Sequence, residues 1–381
     1  MRNLEEESSI ASPRAGIEVV LAEVRRNPLF ALIVFVPLVI VLEQVSPEAH
    51  TWLFFLSVAA IVPLAALLSR ATESVAAKTG DAVGGLLNAT LGNLTELVIS
   101  LAALQAGQYL LVKASIAGAI VTNTLFMLGG SFLLGGLKHH LQEFNRVNAR
   151  FQASLLFLAT IAILVPSLVS EGESASAAAL SQQLSLGLAI LLIAVYGLGM
   201  LFSLKTHKEL FTSVNHATAE EKSWPVSVGV TLLIVITLLV AMVSEIFVGS
   251  VQIAAQHLGM TPAFVGFIVV ALVGGAAEMT SAFSAARSNR LDLSVGIALG
   301  SAAQIALFVA PVMVLVSYFL GPEPMSLQFW PGAVTMMLIA TMSASMLSNS
   351  GQAAWYAGVM ALAVYAIFGL TLFLLPPGAA Q

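Results

Sequence analysis

The chain has 381 residues, of which 58% are hydrophobic and only 9% charged, with a formal net charge of -5. An ordinary soluble domain carries roughly 25% charged residues, so this composition excludes one and indicates a polytopic membrane protein. Cysteine is absent. That removes disulfides and thiolate metal sites, and without a Cys/His cluster no zinc or copper site is expected.

Residues 1–28 contain Glu5, Glu6, Glu7 and four arginines but no cleavable apolar segment, so they read as a cytosolic tail and not as a signal peptide. Within the tail, "IEVVLAEVRR" (17–26) suits an amphipathic helix on the membrane surface as well as a solvated, frayed one. After Asn27, apolar runs long enough for a bilayer core of about 30 Å follow one another, separated by Pro, Gly and charge. They predict an all-α chain with eleven transmembrane helices, near 29–46, 51–69, 81–106, 111–137, 149–169, 184–204, 225–246, 261–286, 292–319, 329–347 and 352–375.

The distribution of Lys and Arg sets the orientation. With the N-terminus in the cytoplasm, 14 of the 15 basic residues fall in inner loops. The exception is Lys113, at a helix end from which a long side chain reaches the interface. The C-terminus is then outside.

An internal repeat appears when the chain is shifted by 182 positions. From Gly84 to Leu128 the ungapped overlay gives nine identities in 45 columns, among them Gly92/Gly274, Glu96/Glu278, Gly118/Gly300, Leu125/Leu307 and Phe126/Phe308. The count alone is weak in Gly/Ala-rich apolar sequence, but the two mid-helix carboxylates coincide. The domain organisation expected is a tail (1–28), a first helix (29–46), repeat 1 (51–204), a cytosolic linker (205–224) and repeat 2 (225–375). Five spans per repeat is an odd number, so the second copy enters from the opposite side. Inverted repeats with a site at their midplane interface are the architecture of secondary transporters. The Gly-rich centres "LGNLTE" (91–96) and "VGGAAE" (273–278) are the places where each repeat would be interrupted, freeing carbonyls toward a cavity. Close packing of small residues is a compatible second role.

A carboxylate at mid-membrane costs roughly 2.5–3.5 kcal/mol on insertion scales, and no mid-membrane Lys or Arg is present to offset Glu96 or Glu278. Protons or bound cations remain. Burial favours the protonated acid whereas a nearby cation favours the carboxylate, so one site holds either protons or metal. A structural alternative is a protonated Glu hydrogen-bonded to a neighbouring helix, less fitting for a symmetric pair. The surrounding groups are all oxygen donors: Asn93, Asn123 and Gln304, the hydroxyls of Thr95, Thr122 and Ser301, and backbone carbonyls near Gly92 and Gly274. Hard cations prefer such donors, Ca²⁺ above all, because it accepts six to eight at irregular geometry. Na⁺, K⁺ and Mn²⁺ stay open. Each amide also reads as glue between helices.

At these residues the chain resembles a known family. "KTGDAVGGLLNATLGNLTELVISLAAL" and "SVGIALGSAAQIALFVAP" are similar to the two signature regions of the Ca²⁺/H⁺ antiporters, the CAX branch of the cation/Ca²⁺ exchanger superfamily. "LKTHKELF" (204–211) resembles the segment after that family's sixth helix. The resemblance implies an eleven-helix antiporter in which Glu96 and Glu278 bind Ca²⁺ in competition with protons. It further implies a first helix that slides beside the repeats, and expulsion of cytosolic Ca²⁺ against inward proton flow. Two departures stand out. The family's second signature usually reads G-N-A-A-E-H, whereas "GGAAEM" places Gly275 and Met279 at the Asn and His. In "SGQAAWYAG" (350–358), Ser350 and Ala357 stand where acids are usual. A weaker or altered cation preference is the expectation these departures raise.

Other charges read more simply. Glu73, Asp81 and Asp292 are expected near helix N-termini, where acids suit the helix dipole, and Lys138, His139 and His140 at a cytosolic helix end. Glu209, Glu220 and Glu221 read as a solvated linker, and Glu245 as the end of a helix facing outside. The resulting expectation is a secondary active transporter exchanging a hard cation, Ca²⁺ first, for H⁺ in a prokaryotic plasma membrane. A cation channel is the alternative of another class, but it would show acidic rings around an oligomer axis. No phosphate loop, His metal motif or nucleophile motif supports an enzyme. No cofactor and no nucleic-acid partner is expected; homo-oligomers are left open.

Overall fold

The computed structural model describes residues 28–79, 81–169, 175–211 and 224–375. The tail segment 17–26 and the linker acids Glu220 and Glu221 lie outside them. Among the described residues the protein is helical apart from one short strand pair. The helices are α1 (Leu29–Val45), α2 (His50–Lys78), α3 (Asp81–Leu91), α4 (Leu94–Gln105), α5 (Tyr109–His139), α6 (Arg146–Leu168) and α7 (Ala179–Thr206). After the linker follow α8 (Val226–His257), α9 (Pro262–Gly274), α10 (Ala276–Arg287), α11 (Leu291–Val316), α12 (Pro331–Ser348) and α13 (Trp355–Leu374). Eight are long and apolar enough to cross a membrane, and α9 with α10, bent by 59°, form a ninth candidate. The shorter α1 and α4 are apolar as well. The protein is thus a multi-pass helical membrane protein.

The chain breaks where Gly meets polar residues inside an apolar run. Predicted helix 81–106 is two helices, because the backbone leaves helical geometry at Asn93 (φ -101°, ψ 34°). Predicted helix 261–286 is likewise split at Gly275 (φ -78°, ψ 5°). The breaks are 182 positions apart. A wider, π-type turn interrupts α5 at Thr122–Met127 and α11 at Ile305–Val309, again close to that spacing.

Helix ends differ from expectation. α2 continues to Lys78 past the expected end at 69, with an Arg70–Glu73 ion pair of 3.3 Å one turn apart. Glu73 therefore sits in the last third of a helix and not near an N-terminus. α8 continues to His257, which places Glu245 inside a helix instead of at its end. Apolarity marks the bilayer, and helices outrun it. The strand pair was not foreseen: β1 (Leu141–Glu143) and β2 (Gln352–Ala354) pair antiparallel, Gln142 opposite Ala353. Three-residue strands are too short to show an alternating pattern.

Packing divides unevenly about the breaks. α2 runs along α8, with Phe54 and Phe247 stacked at 5.6 Å. α5 and α9 approach so closely that a Cβ on Gly118 would overlap the Phe267 backbone, and one on Gly266 would lie 2.5 Å from the Ala114 Cβ. Gly300 of α11, 182 positions after Gly118, has no such neighbour within 4 Å. One side of the core is sealed by small residues; the matching place on the other is open.

Candidate functional site

The two breaks decide where the carboxylates sit. Each creates a new helix N-terminus, and Glu96 and Glu278 lie in the first turn of α4 and α10 respectively. Unpaired N–H groups and the positive end of the dipole there favour an anion, offsetting part of the membrane cost with no basic side chain. Glu96 folds against the opposite break: a Cβ on Gly274 would stand 3.1 Å from its Cγ and 3.2 Å from its Oε1. Only glycine leaves that approach unstrained.

Ser301 links three elements. Its hydroxyl donates to Asn93 Oδ1 at 2.7 Å and accepts from Asn123 Nδ2 at 2.8 Å, joining the first break to α5 and α11. Asn123 Oδ1 lies 3.6 Å from where a Gly275 Cβ would be, and the Met279 methyl 3.3 Å from it. The methyl thus occupies space beside the glycine of the second break. Gln304 Oε1 reaches to 3.4 Å from a Cβ placed on Gly92. Asn93 Nδ2, Gln304 Nε2 and Glu278 Oε2 are buried without a hydrogen-bond partner among the described residues. Buried polar atoms are normally paired, so these converge on a place suited to a polar or charged guest.

Eight of the ten residues singled out from the sequence are thereby brought together, while Thr95 is buried in the first turn of α4. Thr122 is turned aside and bonds the Tyr365 hydroxyl of α13 at 3.1 Å. Tyr365 went unnoticed in the sequence, although a tyrosine within an apolar span has a hydroxyl that needs a partner.

A cleft of about 440 Å³ reaches this cluster, lined by Glu278, Ser301, Gln304 and Gly92 together with Glu73, Asn88, Asn148 and Asp292. Among the described residues no Lys or Arg lines it. Glu96 instead borders a separate void of about 10 Å³ among Ser100, Ser115 and Ala119, room for about one water. The carboxylates match in sequence but differ in access. Among the described residues no group of three or more His, Cys, Asp or Glu assembles, so a cation here would take two carboxylates and neutral oxygens. Hard ions accept that donor set.

The family model for sodium/calcium exchanger proteins matches residues 49–205 and 228–374. The chain belongs to that exchanger family. It is 38% identical over 361 residues to a Ca(2+)/H(+) antiporter of Aphanothece halophytica, covering 91% of this chain and 96% of the relative. It is 40% identical over 327 residues to the Ca(2+)/H(+) antiporter ChaA of Bacillus subtilis (strain 168), covering 85% and 92%. The solved structure of native YfkE, 36% identical, superposes with a TM-score of 0.79 over 91% of this chain and all of the other. As a member of an exchanger family the protein is a transporter and not an enzyme, in agreement with its two signature segments. The first match spans α2–α7 and the second α8–α13, so each exchanger segment carries one break and one of the pair Glu96 and Glu278.

Proposed function

We propose that the chain exchanges Ca²⁺ for H⁺ by alternating access, with Glu96 and Glu278 holding either the cation or protons. The observation that carries this is the pair of glutamates at matched helix breaks, without basic partners, one open to a cleft and the other sealed. The names of the relatives at 38% and 40% identity support Ca²⁺ as cargo.

The arrangement we infer is eleven spans: the eight long helices, the α9–α10 pair, α1, and α3 with α4 taken together. Helices α2–α7 and α8–α13 form two inverted units. Their support is the 182-residue spacing shared by the breaks, the carboxylates and, to within a residue, the widened turns of α5 and α11. The distribution of basic residues supports an N-terminus inside and a C-terminus outside, in a prokaryotic plasma membrane. In this orientation the cleft faces the cytosol.

The cycle follows from the geometry. Ca²⁺ enters the cleft and meets Glu278, then Glu96, with oxygens of Asn93, Asn123, Gln304 and Ser301 completing its shell. Protons leave because a bound cation favours the ionised carboxylates. Closure of α11 onto α3 and parting of α5 from α9 would expose the same site outward, where protons replace Ca²⁺. Purified protein in liposomes with an imposed pH gradient tests this by following Ca²⁺ uptake and lumenal pH together. Coupled, opposed fluxes are expected; Ca²⁺ flux without protons, or flux of Na⁺, K⁺ or Mn²⁺ with none of Ca²⁺, would overturn it.

A further inference from the structure

The helix that carries Glu278 is held at its far end by the opposite half of the chain. α10 closes with Arg290 N–H donating to Ala285 O and Asn289 N–H to Ala286 O, with Asn289 at φ 59°. This is a Schellman-type end, which still leaves carbonyls to satisfy. The last turn of α5 and the strand after it supply the donors. Gln142 Nε2 donates to Ala286 O at 2.9 Å and to Asn289 Oδ1 at 3.0 Å, and Lys138 Nζ donates to Arg287 O at 2.9 Å. Gln142 is only 3% exposed, although it lies in a three-residue strand between helices. A Cβ on Gly135 would overlap its Oε1, so the chain leaves room for an amide at this place.

α4, which carries Glu96, ends the same way 182 positions earlier. Gln108 N–H donates to Ala103 O, Gly107 N–H to Leu104 O, and Gly107 has φ 70°. Its holder is the loop after α11. A Cβ on Gly321 would lie 2.9 Å from Leu104 O, and Tyr109 beside the turn both donates to Glu323 O (2.6 Å) and accepts from Glu323 N (2.7 Å). Each glutamate helix is therefore fixed, at the end away from its break, by the partner half.

We propose that Gln142, assisted by Lys138, is a positioning residue of the transport site: it sets the axial register of α10 and with it the place of Glu278 against Ser301 and Gln304. This rests on the exchanger reading above. A buried amide donating to a helix-end carbonyl and to the turn's own Asn289 fixes both the height and the rotation of that end. A slip there reaches the carboxylate through a rigid helix.

The test uses the full chain in liposomes with Gln142→Met, which keeps the length and removes the donor. Amide exchange across 276–290 should quicken about tenfold while α13 is unchanged, and the Ca²⁺ KM should rise about threefold or more with kcat little altered. Lys138→Met should shift KM the same way, and Lys138→Arg should restore it. Wild-type KM and wild-type exchange in Gln142→Met would overturn the proposal. So would a lower yield of folded protein whose survivors keep the wild-type KM, the mark of a purely structural contact. If the wild type itself moves no Ca²⁺ against protons, the exchanger reading fails, and amide exchange still decides whether Gln142 holds α10.

Discussion

Glu96 and Glu278 each sit in the first turn of a helix that begins in mid-core, and in the proposed exchange cycle their charge is the property that matters there. Glu96→Gln and Glu278→Gln keep the shape and remove the charge, so either should abolish Ca²⁺-driven proton flux in liposomes while the protein still folds. Folding is preserved because neutralising a buried carboxylate removes a desolvation cost. Retained exchange in either variant would assign the role elsewhere. Gly274 tests the neighbouring contact. Gly274→Ala puts a methyl 3.1 Å from Glu96 Cγ, and crowding of this kind costs about 1–3 kcal/mol. A loss of about tenfold in kcat/KM for Ca²⁺ corresponds to about 1.4 kcal/mol. Gly187→Ala, with nothing within 4 Å of the new methyl, should change neither transport nor stability. Most of this neighbourhood was legible in the sequence, because Glu, Asn, Gln and Ser inside apolar runs are costly enough to need a reason. Tyr365 was not, since its ring alone fits an apolar span. Losing its bond to Thr122 should matter little: such bonds are worth about 0.6 kcal/mol on average in membranes. Tyr365→Phe should accordingly shift detergent unfolding slightly and leave exchange intact.

At the scale of elements, the breaks between α3 and α4 and between α9 and α10 could be read from glycine beside polar residues. The ends of α2 and α8 could not, because hydropathy reports where the bilayer is and helical hydrogen bonding continues beyond it. The consequence is concrete for Glu73, which the extra turns of α2 carry to the wall of the cleft. The pairing of β1 with β2 joins segments more than 200 residues apart, and nothing in three residues of either announces the other. The widened turns of α5 and α11 were equally silent. Asn123 lies within the first and Gln304 immediately before the second, in keeping with the frequent presence of π-type turns at functional sites.

For the molecule as a whole, the asymmetry between Gly118 and Gly300 describes its state. Gly118 is pressed on the Phe267 backbone, while Gly300 borders the open cleft. Alternating access requires these roles to exchange. Gly300→Ala should therefore fold normally and bind Ca²⁺ in the cleft-open form, yet turn over slowly, because α11 can no longer close on α3. Normal kcat would contradict that exchange of roles. Gly118→Ala should instead disfavour the state described here and expose the outer side of α5 to thiol reagents at an introduced cysteine, a label the cysteine-free chain permits. Competition for one site also fixes the sign of the pH dependence. Apparent Ca²⁺ affinity should fall as pH falls, by about tenfold per unit for each proton displaced.

In the proposed cycle one pair of carboxylates holds protons and Ca²⁺ in turn. Its most direct measurement is proton release on Ca²⁺ binding, followed with an indicator dye in weakly buffered detergent solution, for the wild type and for Glu96→Gln with Glu278→Gln. Ca²⁺ should release protons from the wild type and none from the double variant. Saturable Ca²⁺ binding to the wild type with no proton released would contradict it.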